Sequence, residues 1–182
     1  MKKLIIIVII LVAAGFFYFM SGDSTDKKTG TPIVSDNGVL RPDPSNATFV
    51  FEGESITLSG GRNERPVAPG STLTEETMIT DTIAYGDINA DDKEDTVLLL
   101  ARYGAGSGTF IYLGAYVSGP VTYRGSNTIF IGDRIAPEAI VISSDSITVE
   151  YLDRAPNDAF SAEPTVRTTK QFVYQAGELR EK

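Results

Sequence analysis

A chain of 182 residues with 16 Lys and Arg against 24 Asp and Glu carries a formal charge of −8, and its length fits one ordinary domain plus an N-terminal attachment. It contains neither cysteine nor histidine. Those two absences exclude disulfides, a cysteine-linked lipid, zinc sites of the usual kind, Ser–His or Cys–His nucleophile pairs and a histidine general base.

Lys2 and Lys3 precede an unbroken apolar run over residues 4–20. As a helix this run reaches about 26 Å, slightly under the hydrocarbon thickness of about 30 Å. No face of it is polar, as one face of a soluble surface helix would be. Val12-Ala13-Ala14 offers a small-residue cleavage site, but cutting there leaves Phe16-Phe17-Tyr18-Phe19-Met20 on the mature protein. Residues 1–20 therefore read as an uncleaved signal anchor, a single transmembrane helix. Lys2 and Lys3 then stay in the cytoplasm and the remainder is extracytoplasmic. The alternative is a secreted or periplasmic protein after signal cleavage.

Residues 21–45 are Ser, Asp, Thr, Lys, Gly and Pro with few apolar positions, which predicts a flexible linker. As a coil it reaches about 25–30 Å. Residues 46–182 form the predicted domain, with 11 Lys and Arg against 20 Asp and Glu, a net charge of −9. Such a domain repels phosphate, so nucleic acid is not an expected partner.

Strand periodicity runs through the domain. Residues 48–51 and 55–58 flank Gly53 as a hairpin. Residues 60–70, rich in Gly, Pro and Arg, read as a loop. Residues 72–85 alternate loosely. The continuous apolar run at 96–103 predicts a central strand covered on both faces, joined through the Gly-rich 104–108 turn to a partner at 109–117. Further strands are expected at 121–124, 128–131, 139–143, 147–152 and 166–174, with a short helical flavour only near Pro137-Glu138. The predicted fold is all-β, a mainly antiparallel sheet or small sandwich of eight to ten strands.

Between residues 86 and 95 lies Gly-Asp-Ile-Asn-Ala-Asp-Asp-Lys-Glu-Asp. Asp87, Asn89, Asp91 and Asp95 occupy positions 1, 3, 5 and 9 of a calcium loop, and Lys93 stands at position 7, where only the backbone carbonyl is needed. Position 6, usually Gly, is Asp92, which must then accept a left-handed backbone. Position 12 is Leu98, so the bidentate Glu of an EF-hand is missing, and strands rather than helices flank the loop. Asp and Asn also favour metal-free turns. Metal ligands are thus assigned to Asp87, Asn89, Asp91, Lys93 and Asp95, with Ca2+ as the ion.

At these residues the chain resembles the Asp-x-Asn-x-Asp-x-x-x-Asp loops of dockerins and of FG-GAP-type repeats, in which the loop binds calcium. Gly86-Asp87-x-Asn89-x-Asp91, Asp95-Thr96-Val97 and Gly106-Ser107-Gly108-Thr109-Phe110-x-Tyr112-Leu113 are together similar to uncharacterised bacterial secreted or lipoprotein-type envelope domains. Gly132-Asp133-Arg134-Ile135 and Tyr151-x-Asp153-Arg154 add to that likeness. It implies a bacterial envelope protein and supplies no activity.

Weaker signals accompany the loop. The 104–108 glycines lack the Gly-Lys-Ser/Thr and the following helix of a phosphate loop. Asn46-Ala47-Thr48 matches a glycosylation sequon, a chance occurrence in a bacterial chain. Glu150 and Asp153 are the nearest pair for glycosidase chemistry, but residues three apart on a strand face opposite sides. Asp133-Arg134-Ile135-Ala136-Pro137 and Asp153-Arg154-Ala155-Pro156 echo each other 20 residues apart, raising a pairing of Arg134 with Arg154. Tyr103, Tyr112, Tyr116 and Tyr151 suit a sheet core or edge.

The expected function is a membrane-anchored extracytoplasmic module, without an assigned enzymatic activity. It holds a structural calcium and binds an envelope protein or cell-wall glycan. The alternatives are a metal- or carboxylate-dependent envelope hydrolase and an inhibitor of a lytic enzyme.

Overall fold

The computed structural model describes residues 33–34, 38–104, 106, 108–144, 146–159 and 161–182. The anchor expected over residues 1–20 and most of the linker expected over 21–45 lie outside these. Every regular element among the described residues is a β-strand. A six-stranded antiparallel sheet contains β5 (Arg62–Pro66), β6 (Thr74–Gly86), β7 (Asp95–Tyr103), β8 (Thr109–Val117) and β10 (Ile129–Asp133) in the order β10-β8-β7-β6-β5, and β9 (Arg124–Gly125) pairs with the end of β8. A four-stranded antiparallel meander follows: β11 (Ala136–Ser143), β12 (Ser146–Asp153), β13 (Val166–Gln175) and β14 (Glu178–Glu181). Two pairs stand apart, β1 (Ile33–Val34) with β2 (Leu40–Arg41), and β3 (Thr48–Phe51) with β4 (Glu54–Thr57).

The layers follow from β7. Val97, Leu99 and Ala101 point to one side and pack with Ile111, Leu113 and Ala115 of β8, and with Ile147, Val149, Tyr151 and Phe172 of the meander. Leu98 and Leu100 point to the other side and meet Phe49, Phe51, Ile56 and Leu58 of the β3–β4 hairpin. The six-stranded sheet is thus the middle of three layers, and its central strand is apolar on both faces because both are covered. The hairpin is tied down at its end by ions: Arg65 on β5 bonds Glu54 and Glu75, while Arg102 on β7 reaches Glu75 at 2.9 Å. Where β9 passes beneath β3, a Cβ on Gly125 would stand 2.2 Å from the Thr48 carbonyl oxygen, so only glycine fits.

Several local expectations change. The 60–70 loop contains the edge strand β5, which ends at Pro66, a residue an edge strand tolerates. Of residues 121–124 only the last is in a strand. The segment at Pro137-Glu138 is extended rather than helical, and forms a bulge in the β11–β12 register between Pro137 and Ala139. β14 was unanticipated. It is turned back on β13 by Ala176 and Gly177, with φ of 53° and 86°, the two positive values of a type I′ turn. Residues 40–45, assigned to the linker on composition, pack on the domain. Pro42 and Pro44 are buried, the Pro42 carbonyl accepts a 2.7 Å bond from the Thr96 hydroxyl, and the Arg41 guanidinium lies 4.6 Å from the Tyr85 ring centre.

Candidate functional site

The acidic loop is the connection between β6 and β7, at one end of the sheet. Asp and Asn side chains fold such a segment by bonding backbone two or more residues ahead, and here they do so in series. Asp87 accepts N–H bonds from Asn89 and Asp91, each at 3.2 Å, and from Asp92 at 2.8 Å. Asn89 Oδ1 accepts from the Asp91 amide at 3.1 Å, and Asp91 Oδ1 from the Lys93 amide at 3.1 Å. The chain therefore winds around the Asp87 carboxylate. Asp92 adopts a φ of 62°, the left-handed backbone expected at position 6, and Ala90, at position 4, adopts one of 60° as well.

Asp95 plays a different part. Fully buried, it accepts the Ile88 amide at 3.0 Å and the Ser118 amide at 2.8 Å, and so locks the loop to the strand exit of β8. Burial raises its pKa above the ordinary carboxylate value against the opposing effect of those two N–H donors. Ser118 completes the fastening. Its hydroxyl donates to Asp91 Oδ2 at 2.6 Å and holds the Asp91 pKa below the ordinary value, while Asn89 Nδ2 donates to its carbonyl at 3.0 Å. The Lys93 ammonium also reaches Asp91 Oδ2, at 3.3 Å. Tyr123 donates its hydroxyl to the Glu94 carbonyl. Glu94 Oε2 is buried with no hydrogen-bond partner.

Asp87, Asn89 and Asp91 are thus brought together, Lys93 lies against Asp91 through its ammonium, and Asp95 faces the β8 exit. All the oxygens are hard ligands that suit calcium, but Asp87 Oδ1 and Asp91 Oδ2 each already accept two hydrogen bonds. Among the described residues, however, no three Asp or Glu side chains stand as a group spaced to hold a metal. Ser118, Tyr123 and Glu94 were missed in the sequence. Glu94 breaks the alternation of ligand positions, and Ser118 and Tyr123 lie more than twenty residues downstream with no local pattern to mark them.

The weaker signals resolve into structural roles. Arg154 donates to the carbonyls of Asp133, at 2.8 Å, and Arg134, at 3.2 Å, so the two echoing phrases meet as a clamp between the sheets. Asp133 in turn accepts the Thr109 amide at 3.0 Å. On β12, Ile147, Val149 and Tyr151 face the core while Glu150 alternates to the other side. β7 and β8 pair antiparallel up to Tyr103 and Thr109, and residues 105 and 107 of the expected turn lie outside the described residues. Asn46 accepts the Gly60 amide through Oδ1. Tyr112 and Tyr151 are core residues, Tyr116 stacks on Tyr123 at 5.4 Å, and Tyr103 is exposed. No protein family, curated protein or solved structure matches the chain.

Proposed function

We propose that this chain is an envelope binding module in which an N-terminal membrane anchor carries an extracytoplasmic β domain, and in which the 87–95 loop takes a structural calcium ion. The observation that carries the calcium reading is the winding of the loop around the Asp87 carboxylate, with Asn89, Asp91 and the Lys93 backbone at the alternate positions. Oxygen-only donors and the missing position-12 Glu point to weak, extracellular-type affinity, with Kd about 10⁻⁴–10⁻³ M. Binding requires the Lys93 ammonium to leave Asp91.

The test uses the full chain in detergent, melted with 5 mM calcium and with chelator. At such affinities the ion stabilises by about 1–2 kcal/mol, which is about 3–6 °C in Tm. Asp87→Ala should abolish the difference. Equal melting in the two buffers overturns the calcium reading and leaves the loop as a self-bonded acidic turn.

A further inference from the structure

Two hollows lie side by side at the loop end of the sandwich. The first, of about 380 Å³, is walled by Ile88 and Asn89 of the acidic loop, by Ser143 and Ser144 at the β11–β12 tip, and by Tyr174 and Gln175 at the end of β13. The second, of about 410 Å³, is walled by Tyr174 again, with Val117, Ser118, Arg124, Asn127 and Glu178. Tyr174 is therefore the partition between them. Asn89 in the first and Ser118 in the second are bonded to each other, so the acidic loop, which lines the first hollow, is tied to a wall of the second.

The wall chemistry is unusual for this domain. Its net charge is −9, yet the described walls of the first hollow carry no charge, and those of the second carry one of each sign, Arg124 and Glu178. The Tyr174 hydroxyl and the Gln175 amide have no hydrogen-bond partner among the described residues, and Arg124 makes no ion pair among them. Hydroxyls, an amide and an aromatic ring between apolar Ile88 and Val117 are the groups that recognise a neutral molecule rich in hydroxyls, with C–H faces to lie on the ring. A polyanion would meet the field of the whole domain. A peptide strand would seek an open sheet edge, and the residues of β13 at the hollows are already paired with β14 through Val173↔Arg180, Tyr174↔Leu179 and Gln175↔Glu178.

We propose that the two hollows flanking Tyr174 are adjacent subsites for a neutral, linear oligosaccharide, the first walled by the acidic loop and the second bonded to it through Ser118. This rests on the binding-module reading and names its partner class. The ring seats the sugar between the subsites, while Gln175 and the serines of the β11–β12 tip supply hydrogen bonds. An ordered loop keeps Asn89 and Ser118 in place.

The test titrates the full chain, in a detergent without sugar headgroups, with tetramers of glucose and of N-acetylglucosamine. Tetragalacturonate serves as the acidic control and a random hexapeptide library as the peptide control. Isothermal titration calorimetry reads binding in the wild type and in every variant. A neutral tetramer is expected to bind. Tyr174→Ala should weaken it about tenfold, Tyr174→Phe less than about threefold, and Ser144→Trp, an exposed turn position that fills the first hollow, should abolish it. Because Tyr174 also packs on the core, Ser144→Trp keeps the test decisive if Tyr174→Ala fails to fold. No neutral binding, binding unchanged in Ser144→Trp, or preference for tetragalacturonate or the peptides overturns the proposal. The calcium melt on the same sample separates the two readings. A calcium shift without sugar binding removes this inference alone, and sugar binding without a calcium shift supports the subsites while removing the ion.

Discussion

Removing the Asp95 carboxylate is the sharpest test of how the loop is held. In Asp95→Ala two N–H groups, those of Ile88 and Ser118, lose their acceptor. A buried donor left unpaired costs about 1–3 kcal/mol. Part returns, because the burial that raises the Asp95 pKa makes its charged form costly in the wild type. The balance is a loss of about 2–4 kcal/mol, or about 6–12 °C in Tm for a domain of this size. Asp95→Asn keeps one acceptor and should lose about half as much. The pH profile adds a second signature. A carboxyl whose folded pKa is raised binds its proton more tightly folded than unfolded, so its contribution to stability falls as pH rises from the ordinary carboxylate value of about 4 through the raised folded value. Asp91 and Glu75, with lowered pKa values, act in the opposite sense, and their contributions are lost as pH falls through the folded values. Subtracting the Asp95→Asn profile from the wild type should therefore leave a decline with rising pH in that window, under chelator. Urea unfolding at a series of pH values measures both effects. A loss below about 1 kcal/mol in Asp95→Ala, or a flat difference profile, would refute the buried anchor.

Two further substitutions probe the frame around the site. Gly125→Ala drives a methyl group into the Thr48 carbonyl, backbone against backbone, and should cost at least about 3 kcal/mol; calorimetry showing a near-wild-type Tm would contradict the close crossing of β3 and β9. Asp92→Gly relieves a left-handed residue at φ 62° and should raise stability by up to about 1 kcal/mol, read from the urea midpoint, with a decrease counting against that backbone assignment.

The parts of the fold legible in the sequence are those whose pattern depends on local burial. β7 could be placed because a strand covered on both faces must be apolar at every position, and Leu98 and Leu99 serve two different cores. β5 was hidden because an edge strand buries little. Its Arg65 and Glu64 are chosen for ion pairs and solvent, and Pro66 reads as loop chemistry although it merely ends the strand. β14 escaped for a related reason: in Glu-Leu-Arg-Glu only Leu179 is buried, and one apolar residue makes no period. Residues 40–45 looked like linker because prolines lack a periodic signature. Yet Pro42 and Pro44 bury their rings without needing one, and a proline carbonyl still serves Thr96 as an acceptor.

The acidic loop divides along the same line. Spacing of two marks Asp87, Asn89 and Asp91 as one unit, and in the structure each bonds the backbone only a few residues on, which is local chemistry. It could not show that Asp95 belongs to a different set of bonds, because its second partner is 23 residues away on the far side of β8. The same remoteness hides Ser118, whose amide, hydroxyl and carbonyl bind Asp95, Asp91 and Asn89 in turn. Through that one serine the loop is continuous with the wall of the hollow beside Tyr174. An ion that ordered Asp87 and Asp91 would therefore stiffen a surface which neither residue touches. The ten-residue acidic pattern that resembles calcium loops elsewhere is, in this chain, one end of a bonded path whose other end is the wall of that hollow.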